Sequence, residues 1–460
     1  MIPGYAAKAG AGVSLRGVNW RRYREAARSA IGRRRRAGWA LIDQCVVSAA
    51  NFLTIYVFAR NLEAADFGAF MLAYTGLMLL TSLQSALLIQ PHNVLGAALS
   101  GSDYQRFTGA LLVAQILACA VVCAALGAIG WLWAAQVGSP AGGVLIALAL
   151  AAAPWMGQEF VRRLLYTRSE SRAAALNDTL TYGLQLAGAC ALAYWWGARS
   201  TPQDALAVLG LSSLAGVVLG VWQLRSHVRI GGRGGFDSVR STWREVWQFG
   251  KWLTAQNVLV CFGAHGHSWI VALILGAEQV GLYRAGTHLV NLMNPLFQTC
   301  FSYLPSRGSL AYQAGGVGGL ATWVKRVAWM SLAAIVPFCI VLVGFPGQVL
   351  QLAYGDRYAG TDLPLILALA TVGQCLMFEK FPFDLGLLAL RSTKSIFFVY
   401  LVPVVLLLTS GIALIHFFGI LGVPLSGIVI NTALLIATAF AYRRRLKQAQ
   451  STSCELERGA

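Results

Sequence analysis

The residues best suited to chemistry stand inside apolar stretches. Arg284, His288 and Asn291 are spaced i, i+4 and i+7 and share one helix face, and Gln298 continues it about two turns on. A guanidinium followed by hydrogen-bonding groups suits phosphate and hydroxyl-rich ligands. The competing reading is that Arg284, close to a polar break, snorkels to an interface. The preceding stretch holds Asn257, His265, His267 and Ser268; His265 and Ser268 share a face, and His267 points elsewhere. Each histidine could instead bond a neighbouring helix, and a metal site would need further ligands that the sequence does not supply.

Further candidates lie apart from these. Asn51 with Thr54, and Gln84 with Ser85, offer polar faces in the first part of the chain, where such residues also serve as interhelical glue. Glu379-Lys380-Phe381-Pro382-Phe383-Asp384 places charges beside a proline within an apolar run. Proline there implies a kink that exposes polar backbone to a cavity. Glu379 and Lys380 diverge by about 100° and need not pair with each other. Glu159 occupies the related place earlier in the chain. These three suit a gate, a coupling site or a buried bridge between two halves. Asp43 lies about one turn into the first apolar run, where Arg33–Arg36 are positioned to neutralise it.

The elements that must carry these residues follow from composition. Hydrophobic residues make up 57% of the 460 and charged residues 12%, against roughly a quarter charged in soluble domains. Runs of about twenty apolar residues recur throughout, each long enough to span hydrocarbon as a helix. Lipid offers the backbone no hydrogen bonds, so the runs are expected to be helices; the alternation of a membrane β-barrel is absent.

About twelve spans result, near residues 39–60, 67–90, 108–134, 142–161, 174–197 and 204–224, then 250–275, 280–304, 324–345, 363–389, 395–418 and 420–442. The fold expected is all-α and membrane-embedded, with two six-helix lobes in a parallel pseudo-two-fold repeat around a central cavity. Its parts are a basic N-terminal segment (1–37), an N-lobe (38–224), a connection (225–249), a C-lobe (250–442) and a basic tail (443–460).

The net charge of +18 is explained by orientation rather than nucleic acid. With the N-terminus inside, about thirty-one of the thirty-six Lys and Arg fall on the inner side. Arg60, Arg199 and Arg357 fall outside, and Arg284 and Lys380 within spans. Both termini are therefore expected to be cytoplasmic. The nine cysteines lie mostly in apolar runs and read as small core residues without disulfides. No nucleophile, metal or phosphate-loop constellation appears, so neither a cofactor nor catalysis is expected.

Internal repetition supports two halves. Leu62-Glu63-Ala64-Ala65-Asp66-Phe67-Gly68-Ala69-Phe70 matches Leu275-Gly276-Ala277-Glu278-Gln279-Val280-Gly281-Leu282-Tyr283 about 213 residues later, and Trp39 and Trp252 share that offset. Leu164-Leu165-Tyr166-Thr167-Arg168-Ser169 likewise matches Leu387-Leu388-Ala389-Leu390-Arg391-Ser392. Six spans per half make the repeats parallel, an arrangement that places substrate between halves that rock.

At these residues the chain resembles the polysaccharide-transporter branch of the multidrug/oligosaccharidyl-lipid/polysaccharide flippases. Ala59-Arg60-Asn61-Leu62 with Asp66-Phe67-Gly68-Ala69-Phe70 resembles that branch's first hairpin. Leu275-Gly276 with Val280-Gly281-Leu282-Tyr283-Arg284-Ala285-Gly286 resembles its seventh-to-eighth helix turn. Gly419-Ile420-Leu421-Gly422-Val423-Pro424-Leu425-Ser426 is similar to the start of its last helix. The resemblance covers residues 38–445 and implies two six-helix lobes around a cavity. It implies movement of polyprenyl-pyrophosphate-linked oligosaccharide across a bacterial inner membrane for polysaccharide, O-antigen or exopolysaccharide synthesis. Membrane lipids and other polysaccharide-assembly proteins are the implied partners. The basic N-terminus departs from the pattern. Two other activities compete: a multidrug cation antiporter of the same fold, which calls for deep carboxylates, and a membrane enzyme of polysaccharide assembly, which calls for a large outer loop.

Overall fold

A two-residue turn sets the architecture. Leu275 and Gly276 close one helix, and Gly276 takes φ +90°, a conformation that side chains disfavour, so that the next helix starts at Ala277. Similar tight breaks at Leu62–Glu63, Arg199–Thr201 and Phe418–Leu421 fold the chain back on itself. At one of them Thr201 and Asp204 form a reciprocal capping box ahead of Pro202.

The computed structural model describes residues 20–96, 99, 101–137, 140–168, 170–225, 235–358, 360–390, 392 and 398–458. Its helices are α1 (Trp20–Asn61), α2 (Ala64–Gln84, continued by a π turn at Ser85–Ile89 and by Gln90–Leu95), α3 (Gly101–Val137), α4 (Pro140–Thr167), α5 (Ser171–Trp195) and α6 (Pro202–Leu224). The second set is α7 (Gly235–Ile274), α8 (Ala277–Val290), α9 (Asn294–Gly344), α10 (Leu363–Ala389), α11 (Leu401–Phe418 through a π turn) and α12 (Gly422–Arg458). A short helix, Pro346–Tyr354, precedes α10. α9 breaks at Gly315–Gly316; its first half continues α8 as span 8, and its second half is span 9.

Nine stretches among the described residues are long and apolar enough to cross a membrane, one of them uniting α11 and α12. The polar stripe Asn177, Asp178, Thr181 and Gln185 keeps α5 out of that set, and the turn at Asn291–Met293 divides span 8. The fold is all-helical, with about twelve spans in two lobes.

The repeated turn packs on itself. A Cβ on Gly68 would lie 1.8 Å from the carbonyl oxygen of Ala277, and one on Gly281 would lie 2.0 Å from that of Ala64. Both pairs obey the repeat offset, so α2 and α8 cross in a two-fold-related contact that only glycine permits. Around this crossing one hydrophobic core spans both lobes, uniting Phe58, Phe67 and Phe70 with Ala285, Leu289, Leu350 and Leu363. Tyr56 donates to the Ala353 carbonyl at 2.6 Å, Tyr358 to that of Ala59 at 3.2 Å, and Arg357 to that of Arg60. At the opposite, basic end the cores separate. One cluster gathers Leu111, Phe160 and Leu165, with Val246 of α7; another gathers Leu320, Val324, Leu387 and Tyr442. The lobes thus share a large core at the distal end, and at the basic end the N-lobe core takes in Val246 of α7, which stays packed on α2 where a Cβ on Gly250 would lie 2.8 Å from the Ala86 carbonyl oxygen.

Candidate functional site

Arg284 lies seven residues into α8, about 10 Å along the axis from the distal end. α7 runs antiparallel beside it and brings two partners to the same depth. The Arg284 Nε donates to Ser268 Oγ at 2.7 Å, and Nη2 lies 3.3 Å from His265 Nδ1. Guanidinium only donates, so Nδ1 is the acceptor and His265 carries its proton on Nε2. Ser268 is fully buried, whereas Arg284 and His265 are partly accessible. Tyr74 of α2 and Tyr283 of α8 lie within electrostatic reach. Among the described residues no carboxylate stands within ion-pair distance of Arg284. The cation is held by neutral groups on one edge, and its charge is left uncompensated.

His288 lies one turn deeper. It gives its Nε2 proton to the Phe52 carbonyl at 3.0 Å and stacks on the Phe52 ring with centroids 4.4 Å apart. It therefore joins α8 to α1 of the other lobe. His267 turns away to Ser426 Oγ, 3.1 Å distant. Asn291 is exposed at the break after α8, and the Gln298 side chain lies outside the described residues. Arg284 does not snorkel: it turns sideways onto α7.

The other sequence candidates are dispersed. Asn257 donates to the Ser82 carbonyl at 3.0 Å, tying α7 to α2, as does Trp269 to Thr75 Oγ1 at 2.9 Å. Gln84 is buried in the N-lobe, bonded to Gln115 and the Met156 carbonyl. Asn51 accepts from Gln185 at 3.1 Å. Around Pro382 the side chains are buried instead of opening to a cavity. Lys380 reaches Asp384 Oδ2 at 2.5 Å and lies over the Tyr400 ring, and Glu379 accepts from Ser331. These contacts stay within the C-lobe, so the bridge between halves expected of Glu379 and Lys380 does not form among the described residues.

Sequence reasoning overlooked the strongest ionic cluster. α4 continues past the expected end of span 4 and carries Arg162 into the N-lobe, where its side chain is 12% exposed. Its Nε meets Asp178 Oδ2 at 2.6 Å, Nη2 meets Asp43 Oδ2 at 3.3 Å and Nη1 meets Glu159 Oε2 at 3.6 Å. Tyr166 also bonds Asp43, Gln158 donates to Asp178, and Arg163 pairs with Glu159. The ion-pair partner of Asp43 is therefore Arg162; the Arg33–Arg36 side chains lie outside the described residues. Glu159 likewise serves the N-lobe alone. The i, i+3, i+4 spacing of Glu159, Arg162 and Arg163, with polar α5, was the available signal.

Comparison with known proteins adds a family and a fold. The family model described as polysaccharide biosynthesis protein matches residues 34–305. A multidrug resistance transporter of the MATE family and MOP superfamily, in its inward-facing conformation, aligns with a TM-score of 0.73 at 15% identity, covering 90% of this chain and 99% of its own. The outward-facing conformation of a MATE family transporter of that superfamily aligns at 0.60 and 14% identity, over 90% and 95%. The lipid II flippase MurJ, inward closed, aligns at 0.66 and 13% identity, over 90% of both chains. No curated protein matches the chain significantly.

Proposed function

The chain belongs to the polysaccharide biosynthesis protein family, and from that premise we propose that it is a flippase carrying lipid-linked oligosaccharide across the bacterial inner membrane. The substrate head is a polar glycan on an anionic diphosphate; the polyprenyl tail remains in lipid. One observation carries this reading: an intramembrane, partly accessible guanidinium, Arg284, that no carboxylate among the described residues compensates. A charge at that depth is costly unless function requires it. An approaching diphosphate would supply the missing negative charge, with charge-assisted hydrogen bonds in bidentate geometry. Ser268 and His265 position the guanidinium.

The basic end, where α1 begins and α12 finishes, is cytoplasmic under the positive-inside rule. The core shared by the two lobes then lies on the periplasmic side. Rocking about the α2–α8 crossing would open the path between the lobes to each side in turn. The lack of a carboxylate beside Arg284 favours an anionic glycolipid over a cationic drug. We assign Asn257, Asn51 and Gln84 to holding helices together, His288 to joining the lobes, and Asp43, Glu159, Glu379 and Lys380 to stabilising each lobe.

The test is translocation of a fluorescent polyprenyl-diphosphate-linked oligosaccharide in proteoliposomes. Wild-type protein should flip it, and Arg284→Met, inserted at equal amounts, should lose at least about tenfold in rate, as expected for one charge-assisted anchor. Unchanged flipping by Arg284→Met, or export of a cationic dye in its place, overturns the proposal.

A further inference from the structure

We propose that oxyanion binding at Arg284 is coupled to uptake of one proton by His265. The inference rests on the anion-binding role proposed for Arg284. Geometry fixes the unliganded state: Arg284 Nη2 approaches His265 Nδ1 at 3.3 Å, and since guanidinium cannot accept, the imidazole must present a lone pair there. The ring thus presents a lone pair, not a proton, to the guanidinium.

The charged neighbour of the ring is Arg284 of α8. Ser268 of α7 and the phenols Tyr74 of α2 and Tyr283 of α8 stand about that guanidinium. None is a carboxylate. An oxyanion arriving on Arg284 reverses this balance. It compensates the guanidinium, adds negative charge near the ring, and offers an acceptor for a protonated Nδ1. Both Coulombic changes favour the imidazolium, and weak screening inside the bundle strengthens them. His265 is partly accessible, so a proton can reach its ring. The balance is simple: neutral His265, one solvent proton and the anion give an imidazolium–anion–guanidinium assembly, with no covalent bond made or broken. By linkage, affinity for the anion rises as pH falls, until His265 is protonated without ligand.

The experiment is calorimetric titration of the purified full-length protein with dimethyl diphosphate. This probe is a diester with no proton to lose near neutrality. Titrations are run at pH 7 in buffers of differing ionisation enthalpy. The expected result is uptake of between about 0.5 and 1 proton per anion in wild type, absent in His265→Gln, which still offers Arg284 an acceptor. Binding with the same heat in every buffer overturns the coupling and leaves the anion site standing. Equal uptake in His265→Gln overturns the assignment to His265. Failure of wild type to bind the diester overturns both the site and this inference. Should His265→Gln not fold, the same buffer series on His265→Asn decides the assignment to His265.

Discussion

Among the described residues Arg162 of the N-lobe and Arg284 of the C-lobe sit inside the bundle in opposite electrical settings. Arg162 is ringed by Asp43, Glu159 and Asp178, with Tyr166 and Gln158 completing the shell. Arg284 has Ser268, His265 and two tyrosines. A buried cation already surrounded by carboxylates is an internal strut: its field is spent on its own lobe, and a further anion would be repelled. A cation held only by neutral groups retains its field for a visitor. Burial and residue type do not separate the two. The count of carboxylates within reach does.

That contrast can be broken by substitution. Arg162→Met should be the most damaging change, because it leaves two buried carboxylates, Asp43 and Asp178, without their cation, while Glu159 keeps Arg163. Removing one partner of a buried pair costs about 3–5 kcal/mol. Thermal unfolding in detergent should show a large fall in Tm, whereas Arg284→Met, which orphans no charge, should shift stability by about 1 kcal/mol at most. Equal destabilisation by both variants would erase the distinction.

A second variant tests whether the work of Arg284 depends on the distal seal. Gly281→Leu introduces a side chain where even a Cβ would stand 2.0 Å from the Ala64 carbonyl oxygen. The α2–α8 crossing must part, at a cost of about 1–3 kcal/mol, as for overpacking. Flipping should fall severely, and a cysteine placed at Tyr74 should become reactive to an impermeant maleimide from the distal side. Normal flipping would show that the crossing need not close.

Lys380→Met should be milder. It frees Asp384 from its 2.5 Å partner, for about 1–3 kcal/mol, and should lower Tm without lowering flipping per folded molecule.

The smallest effect on stability is expected from His265→Glu, a change of similar volume at a partly accessible position, which would give Arg284 the kind of partner Arg162 already has. Folding should change by about 1 kcal/mol or less, while diphosphate binding should disappear. Retained binding in that variant would show that local charge balance does not control the site.

Much of this organisation was legible in the sequence, for identifiable reasons. Apolar runs and tight breaks specify helices because lipid leaves the backbone no alternative, and the turn repeat pointed to the two glycines at the lobe crossing. His265, Ser268 and Arg284 were readable as candidates since helical spacing fixes shared faces. What spacing could not supply was the partner of each face. Arg162 and Arg163 together resemble the edge of a basic loop. Only the approach of α1 and α5 shows that Asp43 and Asp178 balance the first of them. Asn51, Gln84 and Asn257 look like cavity residues from their polarity, yet each is used in joining helices. The residues around Pro382 read as an opening, but the Lys380–Asp384 pair and the Tyr400 ring fill that space.

The central claim, that the uncompensated charge on Arg284 receives the anionic head, is tested most directly by equilibrium binding of a radiolabelled polyprenyl diphosphate to protein in nanodiscs of neutral lipid. The account predicts saturable binding to wild type that weakens with salt, partial retention in Arg284→Lys and loss in Arg284→Met. Equal affinity in wild type and Arg284→Met would contradict it.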